Sequence, residues 1–187
     1  MFIYQALSQH IGIPKEARAL DLCAAPGGKS TLLAAMGFQL TANEVIRTRS
    51  GILRENLERW GTSGVATCSA EAEDIAQALP GWFDVIVVDA PCSGEGLFRK
   101  DVHAVQEWSP DHVQLCSARQ RRILRAAVDA LAPGGLLVYS TCTYNRTENE
   151  DNVRWLQAEF GLEIGRDRKS TRLNSSHSTL SRMPSSA

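Results

Sequence analysis

The 187-residue chain has no apolar run near the ~18 residues that a membrane span requires. Its first ten residues, Met1 to His10, lack a basic stretch followed by an apolar core, so they do not read as a secretory signal. No two of its five cysteines form a CxxC pair, which removes the usual basis for a structural zinc or thioredoxin-like site. With an odd number of cysteines and no export signal, the expectation is free thiols, no bound metal and a cytoplasmic location. Neither GxGxxG nor the GxxxxGK[ST] spacing of a P-loop occurs. Strong net charge is also missing, since the total is −1. The apolar share of 43% is that of a globular chain, which excludes disorder throughout.

The small total charge hides a seam. Residues 1–165 carry 15 Lys/Arg against 20 Asp/Glu, whereas residues 166–187 carry five against one. That last stretch holds seven serines, no aromatic residue and no helical or strand period. Such a segment buries too little surface to offset its ordering entropy. It is expected to be a disordered, non-native tail outside the folded unit, with a basic arm on RNA phosphates as the competing reading.

Within residues 1–165, short β-rich runs alternate with helical patterns. Strands are expected at Ala19–Ala24, Leu40–Val45, Gly64–Cys68, Phe83–Asp89 and Leu136–Ser140. Helices are expected at Lys29–Met36, Arg47–Trp60, Glu73–Leu79, His112–Leu131 and Glu148–Phe160. The run Phe83–Asp89 (FDVIVVD) is the strongest strand, and its aliphatic stretch suits burial on both faces of a parallel sheet. The alternation argues an α/β fold with a doubly wound, mostly parallel sheet. Ligands of such sheets bind beyond the carboxyl ends of the strands.

Each chemically informative motif falls at such an end. Asp21-Leu22-Cys23-Ala24-Ala25-Pro26-Gly27-Gly28-Lys29 leaves a strand through small residues and enters a helix, allowing close approach of a ligand to backbone N–H groups. Glu44 ends the second strand, where an acid can accept from ribose hydroxyls. Glu71 follows the third strand and could accept from an adenine amino group. Asp89-Ala90-Pro91-Cys92 follows the fourth strand, and Tyr139-Ser140-Thr141-Cys142-Thr143 ends the fifth. One such cysteine would read as inert core; two at consecutive strand ends, each beside polar residues, point to chemistry. Arg99-Lys100 adjoins the first of them. Arg119, Arg121, Arg122 and Arg125 cluster on one helix, as a solvated face or as phosphate contacts.

The strings DLCAAPGGKS, DAPCSGEGLFRKD, EWSP and YSTCT…ENE together resemble the Sun/Fmu-type family of S-adenosylmethionine-dependent RNA cytosine-C5 methyltransferases. Gly94 to Asp101 and Glu107-Trp108-Ser109-Pro110 resemble its ribosomal RNA branch. The resemblance runs in order from about residue 1 to residue 160. It implies a Rossmann-like class I methyltransferase fold, S-adenosyl-L-methionine as cofactor, and ribosomal RNA or a ribosomal subunit as partner. The product would be 5-methylcytosine in RNA, made by a monomer with no membrane partner. By the same resemblance Cys142 is the nucleophile that adds to cytosine C6, Cys92 serves product release, and Asp89 binds the cytosine. Cys23, Ala24, Ala25, Pro26, Gly27, Gly28 and Lys29 would wrap the cofactor, with Glu44 on its ribose, Glu71 near its adenine and Asp89 close by. The family often has Asp in an Asp-Gly-Arg setting where this chain has Ala70-Glu71-Ala72. Arg99 and Lys100 would contact RNA, and Lys29 would support the cofactor loop or the catalytic acid. Residues 1–165 would be a catalytic core truncated at both ends and lacking the last strands of its sheet. Two other functions share the fold: a DNA cytosine-C5 methyltransferase, in which the Pro-Cys cysteine would be the nucleophile, and a non-catalytic RNA-binding or assembly module.

Overall fold

A computed structural model of the chain describes residues 2–8, 16–62, 64–165 and 177–181. The helices are α1 (Phe2–Ser8), α2 (Gly28–Ala35), α3 (Arg47–Arg59), α4 (Ala72–Ala78), α5 (Val102–Glu107), α6 (Pro110–Ala130) and α7 (Glu150–Phe160). The strands are β1 (Arg18–Asp21), β2 (Gln39–Asn43), β3 (Ala66–Cys68), β4 (Phe83–Asp89), β5 (Leu131–Ser140), β6 (Glu163–Ile164) and β7 (His177–Ser181). They form one sheet in the order β3-β2-β1-β4-β5-β7-β6. β1 to β5 are mutually parallel.

β4 is the centre of this arrangement and shows why the alternation in the sequence produces two helical layers. Successive strand side chains point to opposite faces. Ile86 and Val88 join one core with Leu20, Leu137, Tyr139 and residues of α4, α6 and α7. Val85 and Val87 join the other with Ala19, Leu40, Val138, Ile3 and Leu7 of α1 and Leu33 of α2. Leu53 and Leu57 of α3 pack on Ala42. The long helix α6 buries Val113, Cys116, Ser117, Gln120, Leu124 and Ala127, a three-and-four spacing that keeps one stripe on the sheet. Among the described residues no helix is long and apolar enough to cross a membrane.

The Rossmann-like, mostly parallel fold agrees with the sequence reading, with two differences. The short helices α1 and α5 were not expected. The N-cap of α5, Asp101, accepts from the His103 backbone N–H at 2.9 Å. Ser109 caps α6 in the same way from His112, and Pro110 opens that helix, two residues before its expected start.

The second difference is at the sheet edge: His177–Ser181, within the segment read as a tail, pairs antiparallel with Leu136–Ser140, and β6 pairs antiparallel with β7. The outer edge of β5 presents a row of unpaired N–H and C=O groups. A backbone ladder satisfies that edge without any hydrophobic period in the pairing segment, so pattern reading did not find it. The rest of the 166–187 segment lies outside the described residues.

Candidate active site

At the carboxyl end of the sheet β1 and β4 are neighbours, while β2 lies beyond β1 and β5 beyond β4. This reversal of winding is where parallel α/β sheets open a crevice. Four of the sequence motifs converge on it.

Cys92 follows β4 and Cys142 follows β5, and pairing of the two strands through Asp89 and Ser140 brings them together. Their sulfurs lie 2.8 Å apart, and the Cys142 backbone N–H donates to Cys92 Sγ at 3.3 Å. Cys142 is exposed and Cys92 half-buried. The hydrogen bond from Cys92 lowers the Cys142 thiol to about 7, against desolvation and the negative charges of Asp89 and Glu148. The same bond, with burial, pushes Cys92 strongly upward. The two thiols thus meet in unequal surroundings, Cys142 at the exposed end of the contact and Cys92 at the more buried one. Asp89 is fixed at both oxygens, by Lys29 Nζ at 2.5 Å and Ser140 Oγ at 2.6 Å. Of the two uses open to Lys29, it is thus the acid that it meets.

The Cys142 loop is held from several sides. Gly96 donates its N–H to the Cys142 carbonyl at 2.8 Å, within a single 3-10 turn over Glu95–Leu97. A Cβ at Gly96 would run into that same carbonyl oxygen. The Glu95 carboxylate accepts from the Tyr144 backbone N–H and Trp108 Nε1, both at 3.1 Å. Asn149 accepts from Thr141 Oγ1 at 2.7 Å and donates to the Asn145 carbonyl at 2.8 Å. Gly94 to Asp101 and the Glu148-Asn149-Glu150 run thus brace the Cys142 loop, a task that residue type alone does not reveal.

On the other side of the crevice the Cys23–Lys29 loop leaves β1 through a cis Ala25–Pro26 peptide and enters α2 at Gly28. Gly27 takes φ +113°, a conformation that L side chains rarely adopt. α3 anchors the loop, as Arg49 donates to the Ala25 carbonyl at 3.0 Å and Asn56 to the Pro26 carbonyl at 2.8 Å. Asp21 at its foot is fully buried and accepts from Ser30 Oγ at 2.6 Å, while its other oxygen has no partner among the described residues. Burial pushes the Asp21 carboxyl up to about 6, and burial beside Asp21 pushes the Cys23 thiol to about 12. Cys23 is thus held neutral.

Glu44 is not a solvated strand-end acid but is buried, 3% exposed. It accepts from the Ile46 backbone N–H at 3.0 Å and lies 3.6 Å from Arg49. Its neighbour Asn43, which the sequence reading passed over, ties three strand ends together through Leu22, Ala70 and Cys68. Glu71 is exposed and paired with Arg122 of α6 at 3.5 Å, so it faces that helix rather than any other candidate cofactor residue named here. Arg99 and Lys100 are exposed, with no ion-pair partner among the described residues. Of the arginine cluster, Arg122 also pairs with Glu73 and Arg125 with Glu159, while Arg121 donates to Asn152 and lies over Trp155. Those three act within the fold; Arg119 is exposed.

The family described as 16S rRNA methyltransferase RsmB/F matches residues 10–165. The chain is 48% identical over 148 residues to ribosomal RNA small subunit methyltransferase F of Cronobacter sakazakii, covering 77% of this chain and 31% of that protein. Its identity to the protein of the same name from Klebsiella pneumoniae is 45% over 150 residues, 79% of this chain and 31% of that one. The chain therefore spans about a third of the length of the curated relatives it matches. Among solved structures, NSun6 from Pyrococcus horikoshii with SFG superposes with a TM-score of 0.78 at 25% identity, covering 90% of this chain and 48% of that one. A methyltransferase homologue from the same organism gives 0.78 at 25% identity over 97% of this chain and 66% of that one.

Proposed function

The chain belongs to the 16S rRNA methyltransferase RsmB/F family, and on that premise we propose that it is the catalytic core of an enzyme that methylates C5 of a cytosine in ribosomal RNA. The unit that does so is residues 1–165, where the family match also ends.

The observation that carries this reading is the cysteine pair beside a fixed carboxylate: the exposed Cys142 with Cys92 2.8 Å away, and Asp89 held by Lys29 and Ser140. Cytosine C5 is a poor nucleophile. Addition of the Cys142 thiolate to C6 makes C5 electron-rich, splitting one hard step into easier ones. Asp89 accepts from the cytosine and offsets charge as the adduct forms. Once the methylated C5 has given its proton to a base, the freed electron pair re-forms the C5–C6 double bond and expels the Cys142 thiolate, and Cys92 serves that release. The base must leave its stack to reach this site, at a cost of a few kcal/mol. Arg99 and Lys100, exposed beside the Cys92 loop and without an ion-pair partner among the described residues, suit the phosphates that flank the base.

The residues at the first three strand ends fit S-adenosylmethionine, whose analogue SFG accompanies one structural neighbour. A cationic, hydroxyl-bearing ligand needs acceptors, and the buried carboxylates of Asp21 and Glu44 offer them at adjacent strand ends, beside a small-residue loop that admits close approach. When bound, the cofactor supplies an electrophilic methyl group. Cys23 to Lys29 would hold its methionine part and Glu44 its ribose. Glu71 is the weakest member of the set, because reaching the adenine requires it to leave Arg122.

The test is to incubate the protein with S-adenosylmethionine and RNA containing 5-fluorocytosine, then map the crosslink by peptide mass spectrometry. The expected adduct is on Cys142, lost in Cys142→Ala. With ordinary cytosine RNA, Cys92→Ala should accumulate the covalent complex. A crosslink on Cys92 instead would reverse the two roles.

A further inference from the structure

Glu148 has no part in the chemistry described above, yet its side chain is fully buried between the two cysteine loops. Its Oε2 accepts from the Ser93 backbone N–H at 3.0 Å and from Gln120 Nε2 at 2.7 Å. The same Gln120 nitrogen donates to the Pro91 carbonyl at 2.9 Å. One carboxylate oxygen therefore grips the chain on both sides of Cys92, directly at Ser93 and through Gln120 at Pro91. Ser93 in turn meets Thr143 at 3.1 Å, hydroxyl to hydroxyl, on the far side of Cys142. The Glu148 carbonyl accepts from the Tyr139 hydroxyl at 2.6 Å, which ties the residue to β5 just ahead of the nucleophile loop.

The other carboxylate oxygen, Oε1, is buried with no hydrogen-bond partner among the described residues. Burying a carboxylate with unused acceptor capacity is costly, and such a group in a native fold calls for a functional explanation. A residue kept only for packing would not need one.

We propose that Glu148 is a positioning residue that fixes the Pro91–Ser93 turn and so seats the Cys92 sulfur against that of Cys142. In this role it sets which of the two cysteines is the more reactive. The significance of that choice rests on the methyltransferase reading, whereas the division of roles is a property of the protein without RNA or cofactor.

The experiment is therefore done on the free protein. Iodoacetamide at limiting dose and pH 7 should label Cys142 in preference to Cys92, as read by peptide mass spectrometry. Glu148→Ala is expected to lower that preference about tenfold, because the loosened Pro91–Ser93 turn frees Cys92 to react, which outweighs removal of a negative charge that opposes Cys142 ionisation. Glu148→Gln is expected to keep it, because its carbonyl oxygen can still accept from Ser93 and Gln120, although its melting temperature should fall. Unchanged preference in a folded Glu148→Ala protein would overturn the proposal. So would Glu148→Gln losing the preference as fully as alanine does, since charge and not acceptance would then be at work. If Glu148→Ala does not fold, Gln120→Leu severs the link to Pro91 and should lower the preference; unaltered labelling there would overturn the proposal too. Absence of an RNA crosslink with intact labelling preference would count against the methyltransferase reading alone.

Discussion

Cys142 is a thiol poised near neutrality in surroundings that should make it a poor thiolate. Burial opposes its ionisation, as do the nearby carboxylates of Asp89 and Glu148, and the hydrogen bond from Cys92 outweighs all three. A consequence follows for pH. The rate of Cys142 alkylation should rise with pH and level off above about 7, as the thiolate fraction saturates. Cys92→Ala removes that sulfur contact and leaves the opposing groups in place, so the midpoint should move upward toward that of an ordinary thiol. Labelling rates across a pH series measure this, and an unmoved midpoint would mean that Cys92 does not set the Cys142 thiolate. Both cysteines and Asp89 were legible in the sequence, because they follow β-rich runs in small-residue turns. Their inequality was not, since it arises from a contact across 50 residues of chain.

Between residue and fold, short elements hold the Cys142 loop. The 3-10 turn Glu95–Leu97 braces it through the Gly96 N–H and the Glu95 carboxylate. Gly96 has no room for a side chain, and what a Cβ would meet is backbone, which cannot swing aside. Gly96→Ala should therefore displace Cys142 while leaving the sheet intact. Misplacement of a reacting group by about 1 Å can cost on the order of 100-fold, so methylation should fall by one to two orders of magnitude with little change in the cooperativity of unfolding. Single-turnover assays beside circular dichroism melts would show this, and wild-type turnover in the variant would remove the turn from the mechanism. The motif Gly94 to Asp101 was recognisable as a string, but its mechanical purpose was not. α5 escaped notice for a related reason: six residues are too few for a hydrophobic period, and only its Asp101 cap marks it.

Over the whole molecule, charge and topology divide differently. Residues 1–165 carry a net −5, and Arg121, Arg122 and Arg125 are engaged within the fold. With that net negative charge over the folded unit, this chain should bind RNA weakly, with a dissociation constant on the order of micromolar or weaker at physiological salt and a shallow salt dependence. Fluorescence anisotropy over a salt series tests this; nanomolar binding would require another phosphate surface. The doubly wound class, the succession of the first five strands along the chain and the small-residue loop after β1 were legible in the sequence, because alternating periods and small-residue turns are local signals. Tertiary structure alone decided that Glu44 is buried, that Glu71 turns to Arg122, that Lys29 meets Asp89 and that a strand lies along the edge of β5. Each of these depends on which segments become neighbours after folding. A local pattern records what a residue can do, and only its neighbours in space fix which partner it takes.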